Sequence, residues 1–244
     1  MRIIQANDYE HMSELAANYL IDKVQTNPAI VLGLATGGTP LGTYKRLIKD
    51  YEQNGTSYKK VTTYNLDEYV GFSPENPNSY HTFMYDNLFE KVDIPTTNVH
   101  LPSGTALDLV EECKGYEERI EEAGGIDVQL LGMGSNGHIG FNEPGTSFQA
   151  TTQIVELAQS TREANARFFD DIKEVPYQAI TMGIATIMKS KEILLLVSGE
   201  SKNDAMKKLM EGEVDESFPA SVLNKHSHVT IIADKEALSG VSVR

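Results

Sequence analysis

The chain has 244 residues, of which 40% are hydrophobic and 23% charged. That is enough for one sizeable core and marks a globular rather than a disordered sequence. The net charge of −14 argues against a nucleic-acid partner, because binding a phosphate backbone needs clustered Lys and Arg, and equally against an anionic membrane surface. A small anionic substrate stays open, provided a few cations converge locally.

The N-terminal MRIIQANDYEHM lacks the apolar run of a signal peptide. No later stretch approaches the roughly 20 apolar residues of a membrane-spanning helix, so a cytoplasmic protein is expected. Residues 9–25 place Met12, Leu15, Ala16, Tyr19, Leu20 and Val24 on one helical stripe, with Asn7 or Asp8 as its cap. Residues 29–34 are an apolar strand. Thr39 is then expected to cap the next helix, and Pro40 to take its first position. Residues 61–66 are Thr- and Tyr-rich but also favour a strand. Residues 107–123 predict an exposed amphipathic helix ended by Gly124 and Gly125. That helix carries Cys113, the single cysteine, with no histidine nearby, so a structural role is expected for it. Strands follow at 128–133, 193–197 and 229–233, with a helix at 202–210 between the last two. The stretch 134–161 reads as a long irregular loop, a candidate lid, and STREANARFF after it reads as a helix. Near-continuous apolar strands alternating with helices imply a single α/β domain: an open, mostly parallel, twisted sheet with helices on both faces.

In such a sheet ligands bind beyond the carboxyl ends of the strands, so the polar residues that follow each strand carry the chemistry. After the first comes Thr36-Gly37-Gly38-Thr39. Two glycines at a helix start suit a phosphate cradle, or a tight turn that needs glycine for its conformation. The lysine of a nucleotide P-loop is missing, so a nucleoside triphosphate is not implied. Asp67 and Glu68 follow residues 61–66; one could be a general base with a raised pKa, or either could cap a helix. The richest run is Gly132 to Gly145. It contains a literal G-x-G-x-x-G, but Gly140, Pro144 and Gly145 break the helix that a dinucleotide site requires. A rigid loop presenting Asn136, His138 and Glu143 fits better, since a carboxylate near a histidine fixes its tautomer. No nucleophilic Ser or Cys is evident, which favours acid–base chemistry. His226 and His228 precede a strand, at the end of the sheet away from the crevice, so no metal is expected. Arg162, Arg167 and Lys202 are the cations placed to meet an anion.

Five motifs occur in order: TGGTP (36–40), NLDEYVG (65–71), GSNGHIGFNEPG (134–145), ANARFF (164–169) and SGESK (198–202). Together they resemble the glucosamine-6-phosphate deaminase (glucosamine-6-phosphate isomerase) family, from the N-terminus to about Asp234. The resemblance implies a Rossmann-like fold, no cofactor, and an enzyme of amino-sugar catabolism that isomerises and deaminates glucosamine 6-phosphate to fructose 6-phosphate and ammonia, classed as a hydrolase. It implies Asp67 as the base moving a proton between C2 and C1, His138 as the ring-opening group, and Asn136 and Glu143 as its partners. It implies Thr36, Gly37, Gly38, Thr39, Arg167 and Lys202 as substrate contacts, and a lid at about 145–169. Many relatives carry Asp where this chain has Asn136, which shifts weight to Glu143. The likeness is to the short form, for which activation by N-acetylglucosamine 6-phosphate and a hexamer are not expected; a monomer or small homo-oligomer is. The rival readings are a 6-phosphogluconolactonase-like hydrolase and a non-catalytic sugar-phosphate sensor of the same fold.

Overall fold

The computed structural model describes residues 1–166, 169 and 171–241. The chain opens with strand β1 (Arg2–Ala6), helix α1 (Tyr9–Thr26), β2 (Val31–Leu34) and α2 (Gly38–Asn54). It continues through β3 (Thr62–Asn65), β4 (Asp67–Tyr69), α3 (Tyr80–Asn87), β5 (Val99–His100), α4 (Leu109–Glu122) and β6 (Val128–Gly132). The last part holds β7 (Gln153–Glu156), α5 (Gln159–Asn165), β8 (Gln178–Thr181), α6 (Ile184–Met188), β9 (Glu192–Val197), α7 (Asn203–Glu211) and β10 (Val229–Asp234).

Seven strands form one all-parallel sheet in the order β1-β10-β9-β6-β2-β3-β5. The continuous apolar strands have the reason expected of them, because both faces are covered. On β9, Leu194 and Leu196 face a core shared with α1 and α2, while Ile193, Leu195 and Val197 face a second core shared with α4 and α7. Asp8 is the cap of α1, accepting the His11 N–H at 2.8 Å.

A second sheet was not foreseen. β4, β8 and β7 pair antiparallel, in that order. β7 and the start of α5 lie within 134–161, so that stretch is not irregular throughout. The helix expected at STREANARFF is α5, which begins one residue earlier and ends at Asn165. Cys113 is buried rather than exposed on α4, and burial, with Glu112 and Glu117 nearby, pushes its thiol up to about 11. A thiol so hard to ionise is a packing residue.

Candidate active site

β2 and β6 are neighbours in the sheet, yet the chain leaves them in opposite directions: from β2 towards β3 and β5, from β6 towards β9 and β10. Such a switch point opens a crevice at the carboxyl ends of the strands. A cavity of about 400 Å³ lies there. It gathers Thr36, Gly37, Gly38 and Thr39 from the turn after β2, Asp67 from β4, Asn136 and His138 from the loop after β6, and Lys202 before α7. Arg167 falls outside the described residues.

The turn after β2 is built differently from the expectation. Thr39 is not the cap of α2. Gly37 holds that position with φ +89°, a conformation that L side chains rarely adopt, and no side chain caps the helix. The helix therefore starts at Gly38, which puts Pro40 at its third position rather than its first. The N–H groups of Gly38 and Thr39 have no partner within the helix, so the first turn faces the cavity with donors and the positive end of the dipole.

β3 and β4 are separated by Leu66 alone, and there the chain passes from one sheet to the other. The two carboxylates beyond it divide. Glu68 accepts the N–H groups of Tyr69, Tyr80 and His81 at 2.8, 3.0 and 2.9 Å, so it caps α3 and is structural. Asp67 is 6% exposed and lines the cavity. Among the described residues no hydrogen bond reaches its carboxylate. Burial, and secondarily the Glu68 charge, pushes it up to about 8.

The loop after β6 holds an imidazole. A Cβ on Gly134 would lie 2.3 Å from His138 Cε1 and Nδ1, so the absence of a side chain there is what lets the ring lie against the backbone. The Asn136 amide connects two neighbours. Its Nδ2 donates to Glu143 Oε2 at 2.7 Å, and its Oδ1 lies 2.8 Å from His138 Nδ1. A carboxylate only accepts, so it fixes the amide's direction; an amide oxygen only accepts, so Nδ1 carries the proton. The neutral ring then has its lone pair at Nε2. Glu143 Oε1 also lies 3.6 Å from His138 Nδ1 and accepts from the Thr161 hydroxyl. Burial alone would raise Glu143; the contacts with His138, Thr161 and Asn136 outweigh it and hold the carboxyl at about 2.

Three residues lining the cavity escaped sequence reasoning. Tyr80 comes from α3, and Thr161 and Asn165 from α5. Asn165 donates to the Tyr69 hydroxyl at 2.9 Å, and that of Tyr80 lies 3.2 Å from it. Only the Ser79 cap at the start of α3 was open to a sequence reader; the contacts are tertiary. Arg162 does not serve the cavity as a cation. Its side chain is buried, donates to the Val175 carbonyl at 3.0 Å and lies over the Tyr177 ring. His226 is engaged with the Ser190 carbonyl at 2.8 Å, and no three His, Cys, Asp or Glu side chains cluster as a metal site among the described residues. No helix among them is long and apolar enough to cross a membrane.

Residues 6–232 match the family model for glucosamine-6-phosphate isomerases/6-phosphogluconolactonase. A glucosamine-6-phosphate deaminase from Halalkalibacterium halodurans is 58% identical, covering 100% of this chain and 99% of its own. The solved structure of a monomeric glucosamine-6-phosphate deaminase superposes with a TM-score of 0.96 at 50% identity, covering 98% of this chain and 99% of that one. A 6-phosphogluconolactonase from Trypanosoma brucei shares the fold, with a TM-score of 0.79 and 17% identity over 99% of this chain and 98% of its own. With the switch-point cavity in place and identity this high across its whole length, the chain belongs to the glucosamine-6-phosphate deaminase family.

Proposed function

We propose that this protein converts glucosamine 6-phosphate and water into fructose 6-phosphate and ammonia. One observation carries the reading: a buried carboxylate, up at about 8, shares a cavity with an imidazole whose Nε2 is left as the lone-pair nitrogen. A carboxylate so placed is suited to a carbon acid, because desolvation makes it a stronger base than an exposed one.

The phosphate docks on the first turn of α2, with Lys202 and Arg167. His138 Nε2 takes the O1 proton and passes it to the ring oxygen as the C1–O5 bond breaks, so the pyranose opens to the aldehyde with a neutral hydroxyl at C5. Asp67 then takes the C2 proton, acidified by the adjacent carbonyl, and an enolamine forms. The proton returns at C1, leaving a ketimine at C2. Water adds to it and ammonia leaves. The net change is hydrolysis of a C–N bond coupled to an aldose–ketose shift.

Residues 145–169 serve as the lid of a single domain. α5 is tied over the cavity by the Thr161 hydroxyl on Glu143 and by Asn165 on Tyr69, which keeps the enolamine from bulk water. The enzyme acts as a monomer in the cytosol, on a small sugar phosphate and without a cofactor. Support for that reading comes from the monomeric relative, the net charge of −14 and the single buried cysteine.

A coupled assay for ammonia and fructose 6-phosphate tests the reading. The expected result is turnover of glucosamine 6-phosphate and no hydrolysis of 6-phosphogluconolactone. Hydrolysis of the lactone without ammonia release would instead favour the lactonase, and binding without turnover the sensor.

A further inference from the structure

We propose that Tyr9 is a positioning residue for the phosphate, acting through the first turn of α2; this rests on the reading of that turn as the phosphate site. Tyr9 is the first residue of α1, and its side chain crosses to the start of α2. There its hydroxyl donates to the Gly38 carbonyl at 2.8 Å and accepts from the Gly42 N–H at 2.9 Å. In a regular helix that carbonyl and that N–H bond each other. Here a phenol engages both, so the opening turn of α2 is tied to a neighbouring helix rather than to a cap of its own.

The sequence makes room for the tie. A Cβ on Gly42 would lie 2.2 Å from Ser13 Oγ and 3.1 Å from Tyr9 Cε1. Ser13 is fully buried one turn further along α1. The absence of a side chain at 42 therefore lets α1 press against α2 at the height where the hydroxyl is needed. The glycines at 37 and 38 serve the cavity; the one at 42 serves Tyr9.

Two effects reach the cavity. The first is geometric. Gly37, Gly38 and Thr39 line it, and α2 has no side-chain cap to fix where they lie; the bonds from Tyr9 hold that turn from behind. The second is electronic. The Gly38 carbonyl and the Thr39 N–H belong to one peptide unit, so a donor on the oxygen polarises the unit and strengthens the N–H as a donor. Both effects act where the phosphate sits, remote from C1 and C2. Tyr9 therefore governs binding rather than the chemical step, as expected of an interaction equally strong in ground and transition states.

The test is Tyr9→Phe, which keeps the ring against Gly42 and removes the hydroxyl alone. KM for glucosamine 6-phosphate is expected to rise about threefold to tenfold, with kcat within about twofold of wild type. The Kd of inorganic phosphate, measured by calorimetry, should rise by the same factor as KM. Unchanged KM and unchanged phosphate affinity would overturn the proposal even if Tm fell, because a purely structural tyrosine gives that result. A loss confined to kcat overturns it as well. If wild-type enzyme turned over glucosamine as efficiently as glucosamine 6-phosphate, the phosphate site itself would fall, and Tyr9 would have nothing to position.

Discussion

Asp67 on β4 and Glu143 on the loop after β6 serve one cavity from opposite surroundings. Asp67 is enclosed, with no hydrogen-bond donor on its carboxylate among the described residues, and sits at about 8. Glu143 is also partly enclosed, yet it accepts from Asn136 and Thr161 beside His138 and sits at about 2. Burial pushes both in the same direction; the donors decide the difference. Two carboxylates driven apart in this way can divide the work, one exchanging protons and the other holding a fixed negative charge.

The largest effect that would break this contrast is at Asp67. Asp67→Asn should lower ammonia release by about 10²- to 10⁴-fold, and a rate near wild type would remove Asp67 from the role of base. Glu143→Gln should cost about 10²-fold in kcat by a different route. A glutamine offers both a donor and an acceptor, so the Asn136 amide can turn its Nδ2 towards His138 and move the ring proton to Nε2. Nitrogen NMR of the imidazole reads this directly; an unchanged Nδ1–H tautomer would show that Glu143 does not set it.

The pH profile sharpens the contrast. With Asp67 at about 8 in the free enzyme, log kcat/KM should fall with unit slope below roughly pH 8. In the complex the substrate ammonium favours the ionised carboxylate, so the acid limb of kcat should lie lower. A kcat/KM that is flat from pH 6 to 8 contradicts the burial assigned to Asp67. The smallest effect is on stability. The carboxyl ionises near 3.8 when unfolded and about 8 when folded. The native state thus holds an extra proton between these values, and stability falls as pH rises through that window. Asp67→Asn escapes the penalty, and its Tm relative to wild type should be higher at pH 8 than at pH 5, by at least about 3 °C.

Much of this was legible in the chain, for identifiable reasons. β2, β6, β9 and β10 are buried on both faces, and their unbroken apolar runs announce it. β1 was missed because its residues are mostly exposed or half-buried, and β5 because it has two. The three-stranded sheet was missed because β4 has three residues inside a motif that read as a loop, and β7 has no buried residue. In the cavity, Asp67, Asn136 and His138 stood out as polar residues after strands. Glu68, with the same position and chemistry, is a helix cap; only the location of α3 tells the two carboxylates apart. Arg162 shows the same limit, since nothing in its local sequence reveals that its guanidinium serves the carbonyls of 172 and 175.

Leu66, the single residue between the two sheets, sets a gauge length. Its N–H bonds the Leu34 carbonyl at 3.0 Å, and its own carbonyl accepts the Met182 N–H at 2.6 Å. One jaw of the gauge, the turn proposed as the phosphate site, begins directly after Leu34. The other jaw, Asp67, begins directly after Leu66. Asp67 follows Leu66 directly, and only Ala35, Thr36 and Gly37 separate Leu34 from the start of α2, so both jaws are anchored close to the paired backbone. Under the proposed docking, a sugar phosphate one carbon shorter or longer would present its acidic C–H off the carboxylate. The choice of a six-carbon chain would then be written in the register of two strands, where loop variation cannot retune it.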